Sequence, residues 1–254
     1  MTRIDLNSDM GESFGAYKLG DDDAMLAVIS SANVACGFHA GDPMVMDHTC
    51  KIAVENGVRI GAHPGFQDLQ GFGRRKIEVD NHLELEKMVI YQIGALDAIA
   101  RARGGKVEYV KFHGALAHLG FSDPKVAETL VRAVKSIDRE LTFLALPHTE
   151  SETAAERAGL RVAREIFADR AYDDEGRLVA RSIKGSMIKD SAVAAERVLR
   201  MVTDGTLVSI SGKKISARMD SICVHGDTPG AVVMARAVRT ALEQAGVEIA
   251  PMFS

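Results

Sequence analysis

The chain has 254 residues, 46% of them hydrophobic and 26% charged, a balance that supplies a sizeable core and excludes a largely disordered chain. A formal charge of −4, with no long run of either sign, argues against a nucleic-acid or anionic-membrane surface. The three cysteines (Cys36, Cys50, Cys223) are widely spaced with no CxxC pair, no apolar stretch is long enough to span a bilayer, and the N-terminus turns acidic at Asp5, so a cytoplasmic protein with reduced thiols is expected.

Short β-branched or apolar runs alternate with longer stretches of helical period along the whole sequence, the pattern of a parallel sheet covered by helices. Strands are expected near 3–7, 33–38, 58–62, 108–113, 141–146, 161–167 and 220–225. Helices are expected near 21–31, 43–56, 80–103, 124–138, 150–158, 189–204 and 229–245. Asp42-Pro43, Asp123-Pro124 and Thr228-Pro229 each place a side-chain acceptor before a proline, as at a helix start, and Thr149 with Glu152 has capping-box spacing. Glycines at 57, 104, 205 and 246 mark helix ends, and 205–220 reads as a hairpin or extended excursion. No low-complexity linker interrupts the chain, so residues 1–254 are expected to form one α/β domain.

Polar residues recur just after the expected strands. The first strand leads into Asp5, Asn7, Asp9 and Glu12, the second into His39 and Asp42, the third into His63 and Asp68, and the fourth into Lys111 and His113. The fifth ends at His148, the sixth at Glu165, Asp169 and Arg170, and the last at His225 and Asp227. In a barrel of parallel strands these ends share one rim, so residues far apart in sequence converge on one pocket. Asp42 is read first as a helix cap, and His48, His82 and His118, in or beside helices, as surface or packing residues. The loop GFQDLQGFGRR (65–75) combines glycines with Arg74 and Arg75, as in a lid that holds a carboxylate or phosphate.

A P-loop, a GxGxxG fingerprint, an HExxH pair and a GxSxG elbow are all missing. What remains is an inventory of Asp, Glu, His and Lys suited to general acid–base attack of water on a carbonyl, with or without a metal.

The segments DLNSDMGES (5–13), SANVACGFHAGDP (31–43), GAHPGFQDLQGFGRR (61–75), VKFHGAL (110–116), EIFADRAY (165–172), LVARSIKGSMI (178–188) and ICVHGDTPGA (222–231) resemble, in order, the motifs of the LamB/YcsF family. The chain departs from the family at Phe112, where proline is usual, and at Ala117-His118, where Tyr-Asn is common. The resemblance implies a seven-stranded parallel β/α barrel of the kind found in glycoside hydrolases and polysaccharide deacetylases. It also implies ATP-dependent opening of the 5-oxoproline lactam to glutamate with two partner subunits, B and C, which would share the handling of ATP. On that basis Asp9, His63 and His113 are expected to move protons, and Lys111 or His225 to stabilise developing negative charge. Asn7, Glu12, His39, Arg74, Asp169 and Arg170 are expected to bind substrate, Arg74 or Arg170 at its carboxylate. Two rival readings are a metal-dependent deacetylase or amidase acting alone, with Asp9, His39 and His63 as candidate ligands, and a non-catalytic substrate-binding component.

Overall fold

A computed structural model describes residues 2–252. Six strands follow one another around a barrel: β1 (Arg3–Met10), β2 (Ser31–Ala35), β3 (Arg59–His63), β4 (Val107–Val110), β5 (Thr142–Ala145) and β6 (Arg161–Phe167). A short antiparallel hairpin, β7 (Thr206–Val208) and β8 (Lys214–Ser216), stands apart, as the excursion at 205–220 predicts. The next strand, β9 (Ser221–Cys223), pairs in parallel with both β6 and β1 and closes a seven-stranded barrel. A final pair of residues, β10 (Glu248–Ile249), extends the sheet beside the first residues of β1. Closure removes free sheet edges, and the parallel connections bring every strand's C-terminal end to one face.

Among the described residues eight helices surround the barrel: α1 (Asp22–Leu26), α2 (Pro43–Glu55), α3 (His82–Ala102), α4 (Gly114–Ser122), α5 (Pro124–Ile137), α6 (Glu150–Arg157), α7 (Ser191–Asp204) and α8 (Ala231–Gln244). The start signals act as expected at α2 and α5, where Asp42 and Asp123 each accept two backbone N–H bonds and proline occupies the first turn. At α8 the signal is displaced: the helix begins after Gly230, not at Pro229, and the Thr228 carbonyl accepts the Ala231 N–H. At α6 the box is offset by one residue. Thr149 caps the Glu152 N–H, but the Glu152 carboxylate accepts from the N–H of His148. Helix α4 has no sequence start signal, because His113 gives no side-chain cap and the segment GALAHLGFS has no polar face to set a period.

The apolar core lies mainly between barrel and helices, in one cluster that runs from Ile4 to Val247. The barrel interior is different. Side chains alternate along a strand, so Asp5, Asn7 and Asp9 all point inward from β1, and they lie within that strand rather than beyond its end. At the lower layer Asp5 accepts from Ser30 (2.7 Å) and Ser31 (2.6 Å), and Ser221 also donates to it. Above it Asn7 donates to Ser221 and accepts from Asn33, both at 2.7 Å. Tyr109 donates from its hydroxyl to Asn33 at 2.7 Å and crosses the lumen, packing with Leu144 and Ala163. Its ring requires Gly61 opposite: a Cβ there would lie 2.2 Å from ring carbons.

Candidate active site

Above Asn33 the polar column becomes charged. Asp9 accepts from Asn33 at 2.8 Å and from Lys111 Nζ at 2.9 Å, and Lys111 also reaches Glu165 Oε2 at 3.1 Å. The ammonium further donates to Cys223 Sγ at 3.0 Å and lies 5.1 Å from the Phe167 ring centre. Burial alone would raise the Asp9 carboxyl, but His63 and Lys111 beside it hold it well below the usual carboxylate range. Burial would likewise depress Lys111, yet Asp9, Cys223 and Glu165 keep it well above the ordinary lysine value. Glu165 is shifted up by burial, with Lys111 offsetting part of the shift. The arrangement is a lysine between one carboxylate shifted down and one shifted up.

Two histidine groups flank this centre. On one side His225 Nδ1 lies 2.8 Å from Asp169 Oδ2, while its Nε2 faces Asp9 at 4.0 Å. Asp169 would be raised by burial, but His225 keeps it below the ordinary carboxylate value. On the other side His63 Nδ1 contacts the Lys111 carbonyl at 2.8 Å and His113 Nε2 the Phe72 carbonyl at 2.7 Å. A carbonyl only accepts, so both of those ring nitrogens carry hydrogen. The remaining nitrogens, His63 Nε2 and His113 Nδ1, face each other at 3.1 Å. His39 stacks on His113 with ring centres 3.7 Å apart and presents Nε2 to Glu12 Oε1 at 3.4 Å.

Glu12, His39, His63 and His113 thus form a buried cluster able to hold a metal ion, with one donor atom from each within 4.8 Å of the others. Asp9, expected from the sequence among the ligands, is instead tied to Lys111 and Asn33, and Glu12 and His113 complete the set around His39 and His63.

A cavity of ≈ 400 Å³ opens over Asp9, His63, Lys111, His113, Glu165 and His225. Its lining also includes the apolar Phe112, Phe121, Phe167 and Leu178 and the basic Arg74, Arg170, Arg181 and His118. Arg170 donates to the Val179 carbonyl at 2.6 Å, and its buried Nε has no partner among the described residues. Burial and then Arg181 lower the Arg170 pKa to about 10, and burial and then Arg74 lower that of Arg181. Like charges gathered this way are relieved by an anion.

The loop at 65–75 forms the wall over the histidines. It is pinned by backbone bonds from Asp68 to Phe38 and from Ala115 to Gly73, and a Cβ on Gly73 would lie 2.7 Å from His39 and 2.8 Å from His113. Arg74 points to the cavity, bonds Asp227 at 2.7 Å and covers the Phe72 ring. Arg75 is exposed and turned to Asp68, with Nε 2.8 Å from Oδ1.

The structure therefore brings Asp9, His63, Lys111, His113, His225, Arg74 and Arg170 together at one cavity. Asn7 lies a layer below, Glu12 and His39 stand behind His113, and Asp169 faces His225. Other residues take places that the sequence does not reveal. His148 belongs elsewhere, bonded through Nε2 to the Ser216 carbonyl beside the hairpin. His118, read as a surface or packing residue, lines the cavity. So does Arg181, which has no signal of its own within the segment 178–188. Asn33, Tyr109 and Cys223 complete the interior without having been expected there, and for Asn33 and Tyr109 the signal is a polar residue at an inward position of a strand.

The sequence profile of the LamB/YcsF family matches residues 4–254. A protein of Rhodopseudomonas palustris, named as the A subunit of 5-oxoprolinase, is 51% identical over 249 residues, 98% of each chain. A protein of the same name from Clostridium beijerinckii is 50% identical over 252 residues, 99% of this chain and 98% of that one. The crystal structure of a lactam utilization protein from Thermus thermophilus superposes with a TM-score of 0.93 at 45% identity, covering 98% of this chain and 99% of that one.

Proposed function

The chain belongs to the LamB/YcsF family, and from that membership we propose that it acts as the A component of an ATP-dependent 5-oxoprolinase, opening the lactam of 5-oxoproline to glutamate together with subunits B and C. The observation that carries this reading is the similarity to proteins of that name over 98% of the chain, and the polarity of the cavity supports it. The cavity lining includes groups for acid–base work on an amide and three guanidiniums for a carboxylate, the two functions that 5-oxoproline carries.

An unstrained five-membered lactam is a poor electrophile. Transfer of the ATP γ-phosphoryl to its oxygen, with the partner subunits, leaves an imidate that water attacks more readily. His225, oriented by Asp169 through Nδ1, presents Nε2 as the base that takes a proton from that water. Lys111, fixed between Asp9 and Glu165, balances negative charge at the phosphorylated oxygen, and Glu165 can protonate the nitrogen as the C–N bond breaks, leaving γ-glutamyl phosphate that a second water hydrolyses to glutamate and phosphate. His63 and His113 form the opposite wall, and Arg74, Arg170 and Arg181 hold the carboxylate. Asn7 keeps Asn33 and hence Asp9 in register from below.

The test is glutamate and ADP release by the isolated chain and by the chain with B and C. The isolated chain is expected to release little, and the complex to turn over. Robust turnover by the chain alone, or full activity of the complex with Asp9→Asn, would overturn the reading.

A further inference from the structure

We propose that Glu12, His39, His63 and His113 bind one divalent transition-metal ion of the zinc type. His63 Nδ1 and His113 Nε2 are both committed as donors to main-chain carbonyls, so in the neutral rings His63 Nε2 and His113 Nδ1 present lone pairs to each other at 3.1 Å. Two facing lone pairs repel, so the contact needs either a proton on one of the two nitrogens or a metal ion between them. A metal-bound histidine commonly donates its outer N–H to a carbonyl while its inner nitrogen ligates, which is the orientation of both rings.

The spacing fits a metal. Zinc bonds of ~2.0–2.1 Å to nitrogen and oxygen give tetrahedral edges of about 3.3 Å between ligand atoms. The observed separations are 3.1 Å for His63 to His113, 3.4 Å for His39 to Glu12 and 3.7 Å for His113 to Glu12. Three imidazoles and one carboxylate are ligand types that zinc, cobalt and nickel prefer over magnesium or calcium. Burial moves His39 and His113 well below the ordinary histidine value and Glu12 well above the ordinary carboxylate one.

The placement is reachable, because His63 and His113 line the cavity while Glu12 and His39 back them from behind. An ion held there lies on the cavity wall beside Asp9, which is 3.5 Å from His63 Nε2, where it could polarise a carbonyl or a water. Metal binding is read without substrate, so its failure leaves the lactam reading standing, and the reverse also holds.

The experiment uses the untagged chain, stripped with chelator and titrated with Zn²⁺ by calorimetry and with Co²⁺ by visible absorption. One equivalent per chain is expected, with a Co²⁺ d–d band and a higher thermal midpoint on Zn²⁺ addition. His63→Ala and His113→Ala should each weaken binding at least tenfold, Glu12→Gln should shift the Co²⁺ band, and His48→Ala should change nothing. Circular dichroism separates loss of ligand from loss of fold, and the wild-type Co²⁺ spectrum serves as the readout if a variant fails to fold. No stoichiometric binding by the wild type, or binding that survives both histidine substitutions, would overturn the proposal and assign the His63–His113 contact to a shared proton.

Discussion

Lys111 and Asp9 form an ion pair sealed inside the barrel, Nζ to Oδ1 2.9 Å, with side chains only 5% and 6% exposed. Removing the cation strands Asp9 and Glu165 without a counterion in a poorly solvated place. Lys111→Met should therefore cost about 3–5 kcal/mol in urea unfolding at neutral pH as well as abolishing turnover in the complex. A second change, Glu165→Gln, should recover part of the stability and none of the activity. A loss below about 1 kcal/mol for Lys111→Met would mean that solvent reaches the pair.

Gly61 and the Tyr109 ring share one space in the lumen. Gly61→Ala would push a methyl group into the ring and is expected to destabilise by about 1–3 kcal/mol through overpacking. Thermal melts of Gly61→Ala with and without Tyr109→Leu check the cause, since trimming the ring should restore much of the loss.

The two neighbouring arginines of the loop should separate by function. Arg74→Lys keeps charge at the cavity but loses the planar fork, so the KM for 5-oxoproline should rise several-fold in the complex. Arg75→Lys keeps a cation beside the buried Asp68 carboxylate and should leave KM unchanged, any cost appearing in stability instead. An unchanged KM for Arg74→Lys and Arg181→Lys alike would remove the carboxylate pole from the proposal.

The pH dependence of stability follows from Asp169. Its folded pKa lies below the unfolded value because of His225, so its contribution is fully present above the unfolded carboxylate pKa and is lost as pH falls through the folded one. Asp169→Asn should therefore lower stability at pH 6 and converge with wild type once pH falls below the folded carboxylate pKa. A difference that persists undiminished in acid would show a packing effect instead.

His148 offers a control on the rim. The sequence places it at a strand end as it does His63, but β5 stops at Ala145, and His148 lies in the turn beyond, exposed and bonded to Ser216. His148→Ala should leave turnover of the complex within about twofold of wild type.

The sequence by itself determined the alternation of strand and helix, the start of α2 and α5 and many, though not all, of the set of residues that line the cavity. These are local matters: a proline after Asp42 or Asp123 presets the first turn, and apolar period separates strand from helix without reference to the rest of the chain. Pattern alone counted seven strands, and the family motifs added that they close into a barrel. What only the tertiary structure decided is which members of that set meet. Closure of β9 onto both β1 and β6 sets the register that brings Cys223 and Glu165 to Lys111, separations of more than fifty residues that no local pattern encodes. His148 bonds the Ser216 carbonyl of the hairpin, while α4, which starts at Gly114, brings His118 to the cavity. Tertiary contact also fixes the proton positions, because the Lys111 and Phe72 carbonyls determine which nitrogens of His63 and His113 remain free to act.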